Sequence, residues 1–150
     1  MEEKKYEELT EDQKRLLDEA EKAMTNSYCP YSKFSVGAAI LAEDGKIFKG
    51  ANFENAAFSE TTHAERVAIT KAYSEGYRKF KAIAIIGKGE GYEPEVVTPC
   101  GSCRQIIHEI AQISGSDIEV IMSSPDKKRI IIAKISELLP LGFKLKNKEL

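Results

Sequence analysis

Two cysteines in the stretch "TPCGSC" have a spacing that could do chemistry. Cys100 and Cys103 stand three residues apart at the predicted start of a helix, where residues at that spacing share one face. The free N–H groups of a helix N-terminus favour thiolates, and two thiolates there suit a borderline cation such as zinc. A Cys-x-x-Cys pair is equally typical of a redox couple or of inert thiols. The pair alone leaves these three interpretations open.

A histidine and a glutamate in the stretch "SETTHAERVAI" favour the metal. His63 also stands at a predicted helix start, and helix N-termini that follow adjacent parallel strands converge at one edge of an α/β sheet. Three protein ligands with a fourth position left open are typical of catalytic zinc. Glu65 lies two residues beyond His63, so it could approach the open side of the metal without ligating it. A carboxylate there could move protons to and from a reacting water.

The surrounding elements must bring these residues together. Thr10 and Gln13 form a capping box before a helix with an apolar stripe, and Asp44-Gly45 is a turn between two strand-like runs. A helix follows from His63 to about Ser74. The remaining predicted elements are, in order, the strand "FKAIAII", the helix "CGSCRQIIHEIAQI", the strands "DIEVIM" and "RIII", and the short helix "ISELL". The order α, β, β, α, β, α, β, β, α predicts a three-layer α/β/α fold with a mixed five-stranded sheet.

Composition narrows the class of protein. The chain has 150 residues, 42% of them hydrophobic and 31% charged, with a net charge of −2. We expect one soluble domain over residues 1–150. The lack of a basic excess argues against nucleic-acid binding, and the apolar runs are far shorter than the ~20 residues that a membrane span needs. The charged start "MEEKKYEELT" is unlike a signal peptide, and three cysteines do not suit a disulfide framework. These features predict a cytoplasmic protein whose tail, "FKLKNKEL", is solvated.

The combined pattern resembles a known family. His63-Ala64-Glu65 followed by Pro99-Cys100 and Cys103 matches the signature of zinc-dependent nucleobase deaminases. From the first helix to Phe143 the chain resembles the small homotetrameric cytidine deaminases. The matching stretches are "CPYSKFSVGAA", "GKIFKGANFENA", "HAERVAI", "TPCGSCRQ" and "LLPLGF".

The resemblance implies both an activity and an assembly. It implies the cytidine deaminase-like fold, with one Zn²⁺ per subunit held by His63, Cys100 and Cys103. It implies hydrolysis of free cytidine and deoxycytidine in pyrimidine salvage, with Glu65 as the catalytic residue. It also implies a homotetramer with sites at the subunit interfaces.

The resemblance assigns the nucleoside contacts as well. The segment "NFENA" is similar to a ribose-binding loop, in which Asn52 and Glu54 hydrogen-bond the sugar hydroxyl. Phe34 would stack on the pyrimidine. Without the resemblance, Phe34 would be interpreted as core and the other two as turn residues.

Four further contacts are implied in the same way. Phe143 would close the pocket, and Phe58 would reach across the tetramer interface. The backbone N–H of Ala64 and the carbonyl of Thr98 would read the edge of the base.

One ligand departs from the family pattern. In the short tetrameric enzymes the first ligand is usually a cysteine, whereas here it is His63. Two thiolates and a neutral imidazole leave the zinc complex uncharged, and less negative charge makes a bound water easier to ionise. The arginine matching Arg66 offsets thiolate charge in the three-cysteine relatives. Whether Arg66 still tunes the metal charge is left open.

Three alternatives are weighed. A same-fold deaminase could act on a nucleoside antibiotic such as blasticidin S, although "NFENA" argues against it. A deaminase of bases within RNA or DNA conflicts with the acidic balance. A non-enzymatic zinc module would need a fourth protein ligand, which only Cys29 or His108 could supply. We expect Cys29 to be a small buried hydrophobe and His108 a polar-side or interface histidine.

Overall fold

The computed structural model describes residues 1–145. Its helices and strands, numbered in chain order, are β1 Glu2–Lys4, α1 Glu11–Met24, β2 Phe34–Ala42, β3 Ile47–Ala51, α2 Ala64–Ser74, β4 Phe80–Gly89, α3 Gly101–Ser114, β5 Glu119–Ser123, β6 Ile130–Lys134 and α4 Ile135–Leu138. Short 3₁₀ turns lie at Tyr6–Glu8 and Phe58–Glu60. The parts of the predicted domain and of the predicted solvated tail that fall on residues 146–150 lie outside the described range. A single domain therefore stays a prediction.

The strands form one mixed sheet in the order β1-β6-β5-β4-β2-β3. β4 and β5 pair in parallel, and every other neighbouring pair is antiparallel. The predicted mixed sheet is confirmed, but its count of five strands is short by one. The missed strand, β1, consists of Glu2, Glu3 and Lys4 paired with β6. It shows no apolar alternation because it lies at the sheet edge and is held through its backbone.

Helices cover both faces of the sheet, which confirms the three-layer arrangement. On one face, Leu16, Leu17 and Ala20 of α1 pack on Ala39 and Leu41 of β2. The alternate residues of the same strand point the other way. Ala38 and Ile40 join α2 and α3 in the second core cluster. The period of two along β2 therefore divides the core into two apolar layers.

The predicted cap of α1 and the predicted turn after β2 are both present in the structure. The α1 cap is reciprocal, since the Gln13 N–H donates to Thr10 Oγ1 at 3.2 Å and the Thr10 N–H donates to Gln13 Oε1 at 3.0 Å. In the predicted Asp44-Gly45 turn, only Gly45 adopts a positive φ, of 93°. The connection between β2 and β3 runs through residues 43–46, which is longer than a two-residue turn.

The two helices that carry the predicted ligands follow strands that are not neighbours. β2 lies between β3 and β4 and is antiparallel to both, so β3 and β4 run in the same direction. The N-termini of α2 and α3 therefore meet at one edge of the sheet, as expected. The expectation that their strands are adjacent is wrong, because the β2–β3 hairpin places β2 in the middle. Among residues 1–145 no helix combines the length and apolar character needed to cross a bilayer.

Candidate metal centre and its surroundings

The position of α2 depends on a glycine in the neighbouring strand. A Cβ at Gly50 would lie 2.5 Å from the carbonyl oxygen of Ala64 and 2.5 Å from the backbone nitrogen of Ala68. A side chain there would push the helix away from the sheet. Gly50 therefore lets the backbone of α2 rest directly on β3, and this contact sets where His63 begins the helix.

Three predicted ligands come together at the two helix starts. His63 is the N-cap of α2, Cys100 is the N-cap of α3, and Cys103 lies in the first turn of α3. His63 Nδ1 is 3.3 Å from Cys103 Sγ and 3.5 Å from Cys100 Sγ. The three donor atoms all lie within 4.8 Å of one another. The imidazole therefore turns Nδ1 toward the two sulfurs.

The donor set fits zinc in both chemistry and spacing. Tetrahedral zinc with bonds of about 2.3 Å to sulfur and about 2.0 Å to nitrogen places its N and S donors about 3.5 Å apart. The observed 3.3 and 3.5 Å are close to that spacing. One imidazole and two thiols form the one group of three metal-binding side chains found within residues 1–145.

Neither candidate for a fourth protein ligand belongs to this group. Cys29 Sγ lies 3.4 Å from Ser35 Oγ at another cavity. The ring of His108 lies under Gly142, and its Nε2 is buried without a hydrogen-bond partner among the described residues. Cys29 is half-buried rather than fully buried as expected. This arrangement does not favour a closed structural site.

Within the cluster, the Cys103 thiol has a strongly raised pKa. Burial raises the pKa of the Cys103 thiol far above its ordinary value, and the nearby Glu65 and Cys100 raise it further. The positive charge of Arg66 lowers it in part. The thiol is therefore protonated until a cation displaces the proton, which is how metal binding couples to proton release.

Glu65 is a buried carboxyl beside the cluster. It is the second residue of α2 and only 5% exposed. Burial raises its pKa, while its own backbone N–H, the charge of His63 and a contact with Cys103 lower it in part. A carboxyl whose pKa moves toward neutrality is suited to accept and return a proton.

Two arginines make defined contacts instead of being simply solvated. Arg66 donates from Nη2 to Ser102 Oγ at 2.9 Å, which joins α2 to α3. Arg104 donates to the carbonyl oxygens of Pro99, at 2.8 Å, and Leu138, at 3.0 Å. Ser102 was not predicted, and only its position between the two cysteines could have pointed to it.

Most of the hydrogen-bonding groups of the Asn52 amide are already used by neighbours at and near the start of β2. The Val36 N–H and the Ser27 hydroxyl donate to its Oδ1, the former at 2.9 Å, and its Nδ2 donates to the Phe34 carbonyl at 2.9 Å. These partners fix which end of the amide is the oxygen. The other N–H of Nδ2 is not used in these bonds.

Glu54 is tied to the loop before β2. Its Oε1 accepts from the N–H groups of Tyr31, at 3.0 Å, and Ser32, at 3.1 Å. Burial acts to raise its pKa, but hydrogen bonds from Ser32 and Tyr31 outweigh that effect and lower it. Glu54 is therefore held as a carboxylate acceptor. Asn52 and Glu54, the two predicted ribose contacts, therefore also hold the start of β2 and the loop before it in place.

Phe34 lies at the start of β2, on the face that α2 and α3 cover. A Cβ at Gly87 on β4 would lie 2.8 Å from its ring and 2.9 Å from Val97. The paired strand therefore leaves room for the aromatic ring beside the segment that leads into Cys100. The ring of Tyr92 meets Phe34 edge-on, with centroids 5.2 Å apart, at a cavity of about 510 Å³. Tyr92 was not predicted, since no pattern distinguishes it within its loop.

The remaining predicted contacts are at the surface or at the helix start. Ala64 is buried as the first residue of α2, where helix geometry leaves its N–H without an intrahelical acceptor. Thr98 is exposed, two residues before Cys100. Phe58 and Phe143 are 71% and 69% exposed. The backbone of Phe143 is bound at both its N–H and its carbonyl by the Gln105 amide.

Comparison with known proteins agrees with this site. Residues 10–115 match the family described as the cytidine and deoxycytidylate deaminase zinc-binding region. A cytidine deaminase of Sporosarcina psychrophila is 53% identical over 132 residues, which cover 88% of this chain and 91% of that one. A cytidine deaminase of Halalkalibacterium halodurans is 42% identical over 134 residues, which cover 88% and 94% of the two chains.

Solved structures extend the likeness to the whole fold. A cytidine deaminase from Burkholderia pseudomallei is 35% identical with a TM-score of 0.76, and the match covers 90% of this chain and all of that one. A cytidine deaminase from Mycobacterium tuberculosis is 32% identical with a TM-score of 0.72, covering 91% and 100%. The resemblance seen in the sequence is thereby confirmed, and the chain belongs to the cytidine and deoxycytidylate deaminase family.

Proposed function

We propose that this protein catalyses the hydrolytic deamination of free cytidine and deoxycytidine to uridine and deoxyuridine, with release of ammonia. The observation that carries the proposal is the convergence of His63, Cys100 and Cys103 beside the buried Glu65 carboxyl. Membership of the deaminase family and the relatives named cytidine deaminase support the same reaction.

Zinc is the proposed cofactor, one ion per chain. His63 would bind it through Nδ1, and Cys100 and Cys103 would bind it as thiolates. When bound, zinc lowers the pKa of a coordinated water and so supplies a nucleophile at neutral pH. The protein must exclude competing ligands and hold the imidazole in the orientation that faces the sulfurs.

Glu65 is the proposed proton carrier. It accepts a proton from the attacking water and delivers it to ring nitrogen N3 of the pyrimidine. C4 gains the water oxygen, and the bond from C4 to the exocyclic nitrogen breaks. Glu65 carries the second proton of the water to the departing amine, so the products are the uracil nucleoside and ammonia. Burial raises the pKa of this carboxyl, which suits it to accept and return a proton.

The nucleoside contacts are proposals of the same kind. Phe34 would stack on the base, and the N–H of Ala64 and the carbonyl of Thr98 would bind its edge. Asn52 and Glu54 would bind the sugar, one through its remaining amide N–H and the other as a carboxylate acceptor. Because both side chains already brace the start of β2, the sugar would meet a preorganised surface.

A homotetramer is also proposed. Four exposed aromatic rings lie in two contact pairs, Tyr28 with Phe53 and Tyr31 with Phe58, with centroids 5.6 and 5.5 Å apart. A grouped exposed aromatic surface of this kind supports an interface with other copies of the chain. Phe58 would then reach a neighbouring site, and Phe143 would close the pocket. Sedimentation equilibrium should give four chain masses, and a monomer would contradict the proposal.

A cytoplasmic location is part of the proposal and is supported by three free cysteines. Two of them must stay reduced to bind metal. Fractionation of the source cells should recover the protein in the cytosolic fraction, and recovery in the membrane fraction would contradict it.

The decisive experiment is an absorbance assay with cytidine, run with and without a zinc chelator. The Glu65→Gln protein should keep its zinc and its folded structure, but its turnover should fall by about 10²–10⁴-fold. Glu109→Gln is the matched control, because Glu109 is an exposed glutamate on α3. Normal turnover in Glu65→Gln would remove Glu65 from the mechanism.

Comparing rates on cytidine and on blasticidin S tests the substrate. Faster turnover of the antibiotic would contradict the proposed nucleoside. Absence of cytidine turnover in zinc-loaded wild-type protein would overturn the function itself.

A further inference from the structure

One hydrogen bond joins the first turns of the two helices that bear the metal ligands. Arg66, three residues after His63, donates from Nη2 to Ser102 Oγ at 2.9 Å. Ser102 lies between Cys100 and Cys103 in the chain. The bond therefore connects the segment that carries the imidazole to the segment that carries both thiols.

Little else of this kind connects the two helix starts. Among residues 1–145, the hydrogen bonds between α2 with its cap and α3 with its cap are Arg66 to Ser102 and the contacts of His63 and Glu65 with the cysteine sulfurs. The contacts of His63 join its Nδ1 to the two sulfurs, and all three atoms would bind the cation instead once it is present. The Arg66–Ser102 bond involves no ligand atom, so it can persist with and without metal.

The geometry matters because the ligands come from separate strand connections. His63 follows β3 and Cys100 follows β4, with β2 between those strands. A small rotation of either helix start would change the distance from Nδ1 to the sulfurs. Groups that orient metal ligands from outside the coordination sphere typically change metal affinity by 10–100-fold.

We propose that the Arg66–Ser102 hydrogen bond is a clamp that presets the distance between His63 and the cysteine pair, so that metal affinity depends on it. The inference rests on the zinc site of the proposed function. Arg66 and Ser102 are positioning residues, since they act through the three ligands. The clamp requires the Ser102 hydroxyl and the guanidinium N–H of Arg66, which separates it from an effect of charge alone.

The test is the zinc affinity of the folded wild-type protein and its variants, measured by competition with a chromophoric chelator. Ser102→Ala removes the acceptor and keeps the charge, and it should bind zinc at least about 10-fold more weakly. Arg66→Lys keeps the charge but loses the planar donor geometry, and it should weaken zinc binding to a similar degree. Ser102→Thr keeps the hydroxyl and should bind as wild type does.

Controls separate the clamp from a change in the helix. Ser74→Ala makes the same substitution at an exposed position at the far end of α2, and it should leave zinc affinity unchanged. Ser102 lies in the first turn of α3, where interior helix propensities do not apply, so the stability of the helix is measured separately. Thermal unfolding of each metal-free variant checks this.

The outcomes distinguish the clamp from the site itself. Unchanged affinity in Ser102→Ala would overturn the clamp and leave the proposed zinc site in place. A loss in Arg66→Lys without a loss in Ser102→Ala would overturn it, because the arginine would then act on the site without the Ser102 hydroxyl. A wild-type protein that binds no zinc would overturn both proposals.

Discussion

The two faces of the sheet receive their helices in the same way, but the candidate metal ligands lie on only one of them. α1 crosses β2 at Gly37, where a Cβ would overlap the Ala20 carbonyl oxygen and lie 2.7 Å from the Met24 nitrogen. α2 rests on β3 at Gly50, where a Cβ would lie 2.5 Å from helix backbone. α1 buries leucines and alanines, whereas α2 begins at the candidate ligand His63. The same kind of close contact between a strand glycine and helix backbone therefore stabilises the fold on one face and positions the candidate ligands on the other.

The matched substitutions Gly50→Ala and Gly37→Ala test this contrast most strongly. Each inserts a methyl group against helix backbone, so each should lower the free energy of unfolding by at least about 1–3 kcal/mol. Only Gly50→Ala should also weaken zinc binding and cytidine turnover per folded molecule, by about 10-fold or more, since it moves His63 and Glu65. Chelator competition and denaturant unfolding measure the two effects. Equal losses of zinc affinity in both variants would break the contrast.

A cavity on the α1 face should affect stability alone. Leu17 is fully buried between α1 and the sheet. Leu17→Ala should lower the free energy of unfolding by about 2–5 kcal/mol through lost burial and an unfilled cavity. Turnover per folded molecule should match wild type when urea curves show that the variant is folded. A fall in turnover at full folding would mean that the α1 face also shapes the site.

The cap of α1 should give a smaller effect of the same kind. Thr10→Ala removes the side-chain acceptor of the Gln13 N–H. The loss should lower the free energy of unfolding by about 1 kcal/mol, with zinc affinity unchanged. Thr10→Ser keeps the hydroxyl and is the matched control. Equal destabilisation by both substitutions would show that the cap bond is not the cause.

An acid-dependent contribution on the same face should be the smallest. Asp18 accepts from Tyr6 Oη at 2.7 Å and from Lys127 Nζ at 2.8 Å. Burial acts to raise its pKa, but the hydrogen bonds from Lys127 and Tyr6 outweigh it and lower the pKa. A lowered folded pKa gives stability that is complete above the unfolded value of about 3.9 and is lost as the pH falls through the folded value.

The Asp18→Asn protein should therefore be slightly less stable at neutral pH. It should also lose less stability than wild type between about pH 5 and pH 2, because it lacks the group that takes up the proton. Urea unfolding across that range measures the difference. Parallel pH curves for the two proteins would show that Asp18 does not contribute in this way.

Much of the fold could be predicted because its signals are local. The α1 capping box, the apolar run of β4 and the two helix starts at His63 and Cys100 all lie within single elements. β1 could not be predicted, since its three charged residues are held by an edge of β6 that is distant in the chain. The position of β2 between β3 and β4 likewise could not be predicted, because it depends on which strands pair and not on the residue pattern within one strand.

The candidate site divides in the same way. Residue types and spacing identified His63, Glu65, Cys100 and Cys103, because a cation and a proton carrier need particular side chains. The roles of Ser102 and Tyr92 could not be predicted, since each depends on a neighbour from another segment. Asn52 and Glu54 were assigned to the sugar by resemblance. Their bonds to the backbone around β2 were visible only in the folded chain.

The amino-acid sequence by itself determined which atoms could bind a metal and which helices would begin at them, because donor chemistry and helix caps depend on a few neighbouring residues. Only the tertiary structure decided that Nδ1 of His63 faces the two sulfurs, that Gly50 seats α2 on β3, and that Arg66 reaches Ser102. These features join residues up to 40 positions apart in the chain, such as His63 and Cys103. Their distances are set by the packing of whole helices on the sheet, which no local pattern specifies.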